Sequence, residues 1–403
     1  MAIFNGGSFK SLRHKNYRLF FTGQLISVIG TWLQMTAMPW LVYRMTDSAF
    51  LLGLVAFLNQ IFVLLLAPYA GAFADHYDKK KILTITQALG MLQALALAAL
   101  TLTGTIELWH IIALASFAGL INAFDMPTRQ SFLVQMVPKE DLMNAIGLNS
   151  LVFNGARLIG PAIAGLLIAS VGEGLCFLVN GLSFTATITA LACIVPASGG
   201  HSDNNDIPIS EKFMVGIKYI RSSRKISYVL ALLSVTGLTG MFPMVLMPVF
   251  VKDIYGLGAS GLGLFMSAMG VGALAGTFMI TSKKNSEGLN KTIITAAFGF
   301  GLTVICFAFI RFIPLTLAMI AAAGYFLVLQ MGFSNTIVQL SVPDELRGRV
   351  MGFFIMAFMG FAPIGSFAAG LLAQQFSAPA AVAFGGAVTL LAALFLRKKV
   401  LSL

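Results

Sequence analysis

An apolar stretch of about 20 residues recurs twelve times along a chain of 403 residues. A helix of that length, rising 1.5 Å per residue, crosses a hydrocarbon core of ~30 Å. Inside a bilayer every backbone N–H and C=O must be satisfied by the chain itself, which leaves helices and closed barrels. A barrel would need alternating segments of ~10 residues, and the sequence does not show them. With 58% hydrophobic and only 10% charged residues, the chain also lacks the polar surface of a soluble domain. The reading is an all-α integral membrane protein of twelve transmembrane helices. The first six spans are placed at 17–43, 50–74, 82–104, 109–125, 142–170 and 174–195. The second six fall at 227–251, 260–281, 292–310, 315–335, 350–374 and 378–396.

A net charge of +11 would point to nucleic acid in a soluble protein. Here its distribution excludes that partner. With the N-terminus in the cytoplasm, 22 of the 26 Lys and Arg fall on the cytoplasmic side, in loop after loop. Arg44, Lys252 and Arg311 fall on the opposite side, and Arg157 lies within a span. This asymmetry is the positive-inside rule, and it predicts both termini inside and membrane lipids as the surrounding partner. The basic, polar N-terminus does not read as a cleavable signal. Cys176, Cys193 and Cys306 are scattered through the spans as packing residues. There is no phosphate-binding loop of the Gly-x-x-x-x-Gly-Lys-Ser/Thr type, no catalytic triad and no clustered metal-ligand motif. Neither an enzyme nor a cofactor or metal site is expected.

The chain divides into a six-helix half at 1–195, a cytoplasmic linker at 196–226 and a second half at 227–403. The linker opens on Pro, Gly, Ser and Asn, and then reads as a short amphipathic helix over 209–221, taken as a connector. An internal repeat spans the linker. A shift of 205 residues maps Val137-Pro138 and Gly147 onto Val342-Pro343 and Gly352, and Gly155 onto Gly360. The same shift carries Ile159-Gly160 and Ala164-Gly165-Leu166-Leu167 onto Ile364-Gly365 and Ala369-Gly370-Leu371-Leu372. Repeated halves are how many secondary transporters build an alternating-access site.

Two motifs carry a family resemblance. Between spans 2 and 3 stands Gly71-Ala-Phe-Ala-Asp75-His76-Tyr77-Asp78-Lys79-Lys80-Lys81. It resembles the major facilitator superfamily signature Gly-x-x-x-Asp-Arg-x-Gly followed by two basic residues, with His76 in the Arg position and Asp78 in that of the second Gly. Gly71 would permit close helix approach, Asp75 would meet helix amides or a neighbouring cation, and Lys79 and its neighbours would hold the loop at the surface. In span 5, Gly147-x8-Ala156-x3-Gly160-Pro161-x2-Ala164-Gly165 looks like the superfamily's antiporter motif. There Gly160 lets helices pack closely and Pro161 bends the span, while the association with export comes from the resemblance alone. The stretches 23–44, 122–130 and 148–157 are similar to the branch containing the enterobactin exporter and macrolide efflux pumps. The resemblance implies the twelve-helix, two-half fold of that superfamily and a bacterial inner-membrane location.

Ionisable residues at bilayer depth cost ~2.5–3.5 kcal/mol and default to functional candidates. Arg157 sits mid-span with no carboxylate at its depth, so it is either a contact for an anionic substrate or a structural hydrogen-bond hub with Asn154 or neighbouring helices. Asp125, four residues before Arg129 near the end of span 4, is either a gating or proton-binding carboxylate or a helix-end ion pair. Gln24, Ser27, Thr31 and Gln34 make a polar stripe on span 1, read as cavity-lining, with Asn122 and Gln330 as further candidates. The expected activity is alternating-access export of a small amphiphilic molecule, a siderophore first, with protons as the coupling ion by family analogy. A drug or macrolide pump, a lysophospholipid flippase and a non-transporting sensor stay open.

Overall fold

The structure is a computed structural model that describes residues 7–195, 209–282 and 288–401. Among those residues twelve spans are long and apolar enough to cross a membrane, one for each predicted span. The first six are single helices: α1 (Lys15–Thr46), α2 (Ala49–His76), α3 (Lys79–Leu102), α4 (Leu108–Val134), α5 (Lys139–Val171) and α6 (Glu173–Cys193). The helix α7 (Ile209–Ser222) follows. Span 7 comprises α8 (Arg224–Thr239), α9 (Phe242–Val245), α10 (Met247–Val249) and a π-turn at Phe250–Ile254. Spans 8 to 10 are α11 (Ala259–Ser282), α12 (Leu289–Phe309) and α13 (Ile313–Ser341). Span 11 joins α14 (Asp344–Ile355), a π-turn at Met356–Gly360 and α15 (Ala362–Gln375); span 12 is α16 (Ala378–Leu401).

The breaks fall at prolines. Pro243 and Pro248 supply no N–H to the carbonyls of Thr239 and Met244, and Pro363 supplies none to that of Met359, and the α-helix of spans 7 and 11 breaks beside them. Pro39, Pro127 and Pro161 lie inside α1, α4 and α5 without ending those helices. Where the prediction stops too soon, the residues are polar: α4 continues past 125 to Val134, and α13 past 335 to Ser341. Hydropathy falls there, yet the helices continue, with Arg129 paired to Asp125 in α4 and Gln339 donating to Asn335 in α13.

Two compact units emerge. The first comprises Met1–Met45, Leu58–Asp203 and Gly258–Ser267. In it α1 lies on α6 along Gly23 and Gly30, where added Cβ atoms would meet the Ala186 carbonyl at 2.8 Å and the Asn180 Cα at 3.0 Å. The N-terminal 3-10 turn Gly7–Arg13 is clasped to the start of α5: the Ser11 N–H donates to Asn144 Oδ1 (3.0 Å), and His14 Nε2 lies 2.8 Å from Asp141. At the other end of α1, Arg44 grips Glu173 with two bonds of 2.7 and 3.2 Å. The pair is lopsided, because the Arg44 side chain is 53% exposed and that of Glu173 only 6%. Arg44→Gln therefore strands a buried carboxylate and is expected to cost about 1–3 kcal/mol, read as a lowered thermal midpoint. Arg44→Gln combined with Glu173→Gln recovers most of that loss.

The second unit comprises Thr46–Phe57, Asn204–Leu257 and Ala268–Leu403. Its core gathers Ile226, Leu233, Ile293, Ala297, Val338 and Phe354 from α8, α12, α13 and α14. The predicted amphipathic helix is present as α7. It packs on α14, with Gly216 against the Phe353 ring, and the Tyr219 hydroxyl donates to the Ser341 carbonyl (3.2 Å). Residues 196–208, the opening stretch of the predicted linker, lie outside the described residues, as do 283–287.

The repeat reappears as repeated packing. In the first unit Gly160 sits under Trp32 of α1, and Gly165 meets Gly263 of α11 with 2.9 Å between its added Cβ and the Gly263 Cα. In the second unit Gly365, the repeat mate of Gly160, presses on the Leu238 carbonyl of α8. Gly370, the mate of Gly165, meets Gly53 of α2 at 2.8 Å. Each position admits no Cβ without a backbone shift, which accounts for glycine at both copies.

Candidate functional site

Asp125 is the most elaborately held carboxylate in the first unit. Its Oδ2 accepts from Arg129 Nε (2.8 Å) and Nη2 (2.6 Å), the i,i+4 pair predicted within α4. Its Oδ1 accepts from Thr86 Oγ1 (2.8 Å) and Gln87 Nε2 (2.7 Å) on α3. The side chains of Asp125 and Arg129 are 8% and 18% exposed, so this is a buried pair. One expectation is corrected here: Asp125 does not stand at a helix end, because α4 continues to Val134. The expected pair with Arg129 is present and forms part of a four-residue cluster joining two helices. Thr86 and Gln87 were missed; their only signal in the sequence is two adjacent polar residues in an apolar span. The Oε1 of Gln87 finds no hydrogen-bond partner, leaving one unsatisfied acceptor in the cluster.

Arg157 has the opposite environment. It is half-buried in the middle of α5 and has no hydrogen-bond or ion-pair partner among the described residues. Pro161 removes the N–H that would have bonded the Arg157 carbonyl, so the same residue carries a loosened acceptor beside an uncompensated cation. The expected hub with Asn154 is not formed: Asn154 Nδ2 donates back to the Ser150 carbonyl (2.9 Å). One residue beyond Arg157, Ser267 Oγ on α11 donates to the Leu158 carbonyl (2.9 Å), tying α11 to α5.

The polar stripe of α1 turns inward. Gln34 Nε2 donates to Gln93 Oε1 (3.1 Å), Asn180 Nδ2 donates to Gln34 Oε1 (2.9 Å), and Gln93 Nε2 donates to the Leu114 carbonyl (3.2 Å). A single amide chain thus threads α6, α1, α3 and α4. Gln93 and Asn180 were not anticipated. Thr31 Oγ1 donates to its own helix at the Ser27 carbonyl (3.0 Å). Gln24 is 1% exposed, and neither of its amide atoms has a partner. Asn122 is exposed on α4. In the second unit Gln330 is buried and exchanges bonds with Thr236 (2.8 and 3.2 Å). The candidate polar residues are therefore held in separate clusters: Gln34 and Gln330 are engaged with protein partners, while Arg157 and Gln24 are not.

In the Gly71–Lys81 loop, the close approach expected at Gly71 is absent, since a Cβ there would meet nothing within 4 Å. Asp78 replaces the usual glycine because it caps α3, accepting from the N–H of Lys80 (2.9 Å) and Lys81 (3.3 Å). Of the loop's lysines, Lys80 is tied to the protein: its Nζ donates to the Ile194 carbonyl (2.7 Å) at the end of α6. The side chain of Asp75 lies outside the described residues.

Twelve spans, paired glycine crossings and an unpaired mid-span cation define a polytopic transporter of the major facilitator fold. The family model described as transmembrane secretion effector matches residues 6–402, and the chain belongs to that family of the major facilitator superfamily. It is 28% identical to the staphyloferrin A transporter of Staphylococcus aureus (strain NCTC 8325 / PS 47) over 89% of this chain and 90% of that protein. It is also 28% identical to the multidrug efflux pump Tap of Mycolicibacterium fortuitum, covering 86% of each. Among solved structures it resembles a bacterial homologue of the iron transporter ferroportin, at TM-score 0.70 and 19% identity over 96% of this chain and 98% of the other, a likeness of fold. The protein is a multi-pass transporter of the bacterial cytoplasmic membrane, not an enzyme.

Proposed function

We propose that this transporter exports a small anionic amphiphile, a siderophore, by proton-coupled alternating access. The observation that carries the reading is Arg157, a cation held at membrane depth with no protein anion to neutralise it among the described residues. A carboxylate or catecholate substrate supplies the missing charge, and an ion pair formed in a water-poor site is worth far more than one at the surface. The relationship to a staphyloferrin A transporter supports the same class of cargo. Gln24, buried with both amide atoms unsatisfied, is the second proposed contact. Asp125 is the proposed coupling carboxylate. The repeat-related glycine crossings at Gly165 and Gly370 support two homologous halves, and the distribution of basic residues supports both termini in the cytoplasm.

Two measurements test this. In iron-starved cells lacking the gene, mass spectrometry is expected to show an iron-chelating compound lost from the medium and accumulated inside. In complemented cells Arg157→Gln is expected to lower export at least ten-fold at equal membrane abundance, with Arg157→Lys intermediate. Full export by a well-expressed Arg157→Gln removes the substrate role. The Tap relationship favours drug efflux as the second reading, indicated by an unchanged medium together with increased sensitivity to lipophilic antibiotics.

A further inference from the structure

On one side of the first unit a crevice of about 540 Å3 is enclosed by α2, α3 and α4. Its walls are apolar, with Phe73, Ile85, Leu89, Phe117 and Leu120 among them. Phe73 is braced at the α2 wall by Tyr77 (ring centroids 4.4 Å apart) and edge-on by Phe124 (5.7 Å). Deeper in, the Thr86 hydroxyl is already given to Asp125. Polar chemistry is confined to the rim at the α2–α3 turn, where Tyr77, Asp78 and Lys81 stand.

The rim has a definite sign. The Oδ1 of Asp78 is occupied as the cap of α3, and its charge faces the positive end of that helix. Lys80 points its ammonium to the α6 carbonyls. Lys81 is exposed and has no hydrogen-bonding or ionic side-chain partner among the described residues, and the Tyr77 hydroxyl, on a ring 60% exposed, is likewise unpartnered. A cation and a phenolic donor, both without a partner among the described residues, therefore stand at the mouth of a hydrocarbon slot. From Lys81 to Leu89 the slot runs about 12 Å at 1.5 Å per residue, room for the upper half of an acyl chain.

We infer that this crevice is a specific site for an anionic phospholipid, with one acyl chain between α2, α3 and α4 and the phosphate held by Lys81 and Tyr77. Annular lipid covers any apolar surface; a concave slot whose rim carries a cation unpartnered among the described residues selects for charge. The site is separate from Arg157 and Asp125 and does not depend on what the protein exports.

The test is native mass spectrometry of the full-length protein in detergent, titrated with phosphatidylglycerol, phosphatidylethanolamine or phosphatidylcholine of identical chains. One phosphatidylglycerol is expected to be retained about five-fold more tightly than phosphatidylcholine, the scale of one lysine near an anionic headgroup. Lys81→Gln is expected to erase that preference, while Lys291→Gln, at an exposed lysine in the first turn of α12, leaves it intact. Leu120→Trp, which fills the slot, is expected to lower retention of every lipid. Equal retention of phosphatidylglycerol and phosphatidylcholine overturns the inference. So does a preference that survives Lys81→Gln, or tighter binding of phosphatidylethanolamine than of phosphatidylglycerol.

Discussion

Asp125→Asn is expected to give a membrane-inserted protein that exports at under a tenth of the normal rate and melts at a lower temperature. Asparagine is nearly isosteric, and its carbonyl oxygen still accepts from Thr86 or Gln87. What it removes is the charge that balances Arg129, whose side chain is 18% exposed. Breaking a buried pair by deleting one partner costs about 3–5 kcal/mol, because the survivor stays desolvated and unpaired. The double variant Asp125→Asn with Arg129→Gln deletes both charges and is expected to recover most of the stability. The decisive readout is export by that double variant. Continued loss of export in a protein of restored stability assigns the carboxylate a part in transport, as proposed. Normal export makes Asp125 a staple between α3 and α4 and removes it from the coupling mechanism.

Gly272→Val is expected to abolish folded protein. An added Cβ at Gly272 of α11 runs into the Ala321 backbone carbonyl of α13, and on the facing helix Gly324 is pressed on the Met269 carbonyl. The two helices touch backbone to backbone, so no flexible side chain can move aside. Overpacking ordinarily costs about 1–3 kcal/mol, and here α13 as a whole must shift. Size-exclusion profiles of detergent extracts read the result directly: a normal monodisperse peak for Gly272→Val would refute the crossing. Gly71→Ala and Gly147→Ala are the matched controls, since nothing lies within 4 Å of either added Cβ, and both are expected to elute normally. Loss of export by folded Gly71→Ala would show that this motif glycine meets a neighbour in another state of the cycle.

The contrast between Gly71 and Gly272 shows what sequence reading can and cannot do. The motif around Gly71 is conspicuous, and close helix approach is the natural physical reading of its glycine, yet the space beside it is open. Gly272 belongs to no motif and sits in an unremarked apolar run, where only the position of α13 makes it indispensable. The polar residues behave alike. Spacing alone places Arg129 one turn after Asp125, and that pair is present. Thr86 and Gln87, which complete the cluster, stand on a different helix, and no local pattern connects them to Asp125.

The sequence by itself determined the twelve spans, the α-helical solution and the distribution of basic loops. These follow from transfer of backbone and charge between water and hydrocarbon, a property of each segment taken alone. It also marked Arg157, because a cation in an apolar stretch is conspicuous without any neighbour. Only the tertiary structure decided that Gln34 is bound into a chain of amides with Gln93 and Asn180 while Gln24 is left unsatisfied. Only it decided that α4 continues to Val134 past Arg129, and that Lys80 ties the loop after α2 to the end of α6. Each of these turns on which side chains from distant segments come within about 3 Å, and hydrogen bonding at that range depends on packing that no single segment specifies.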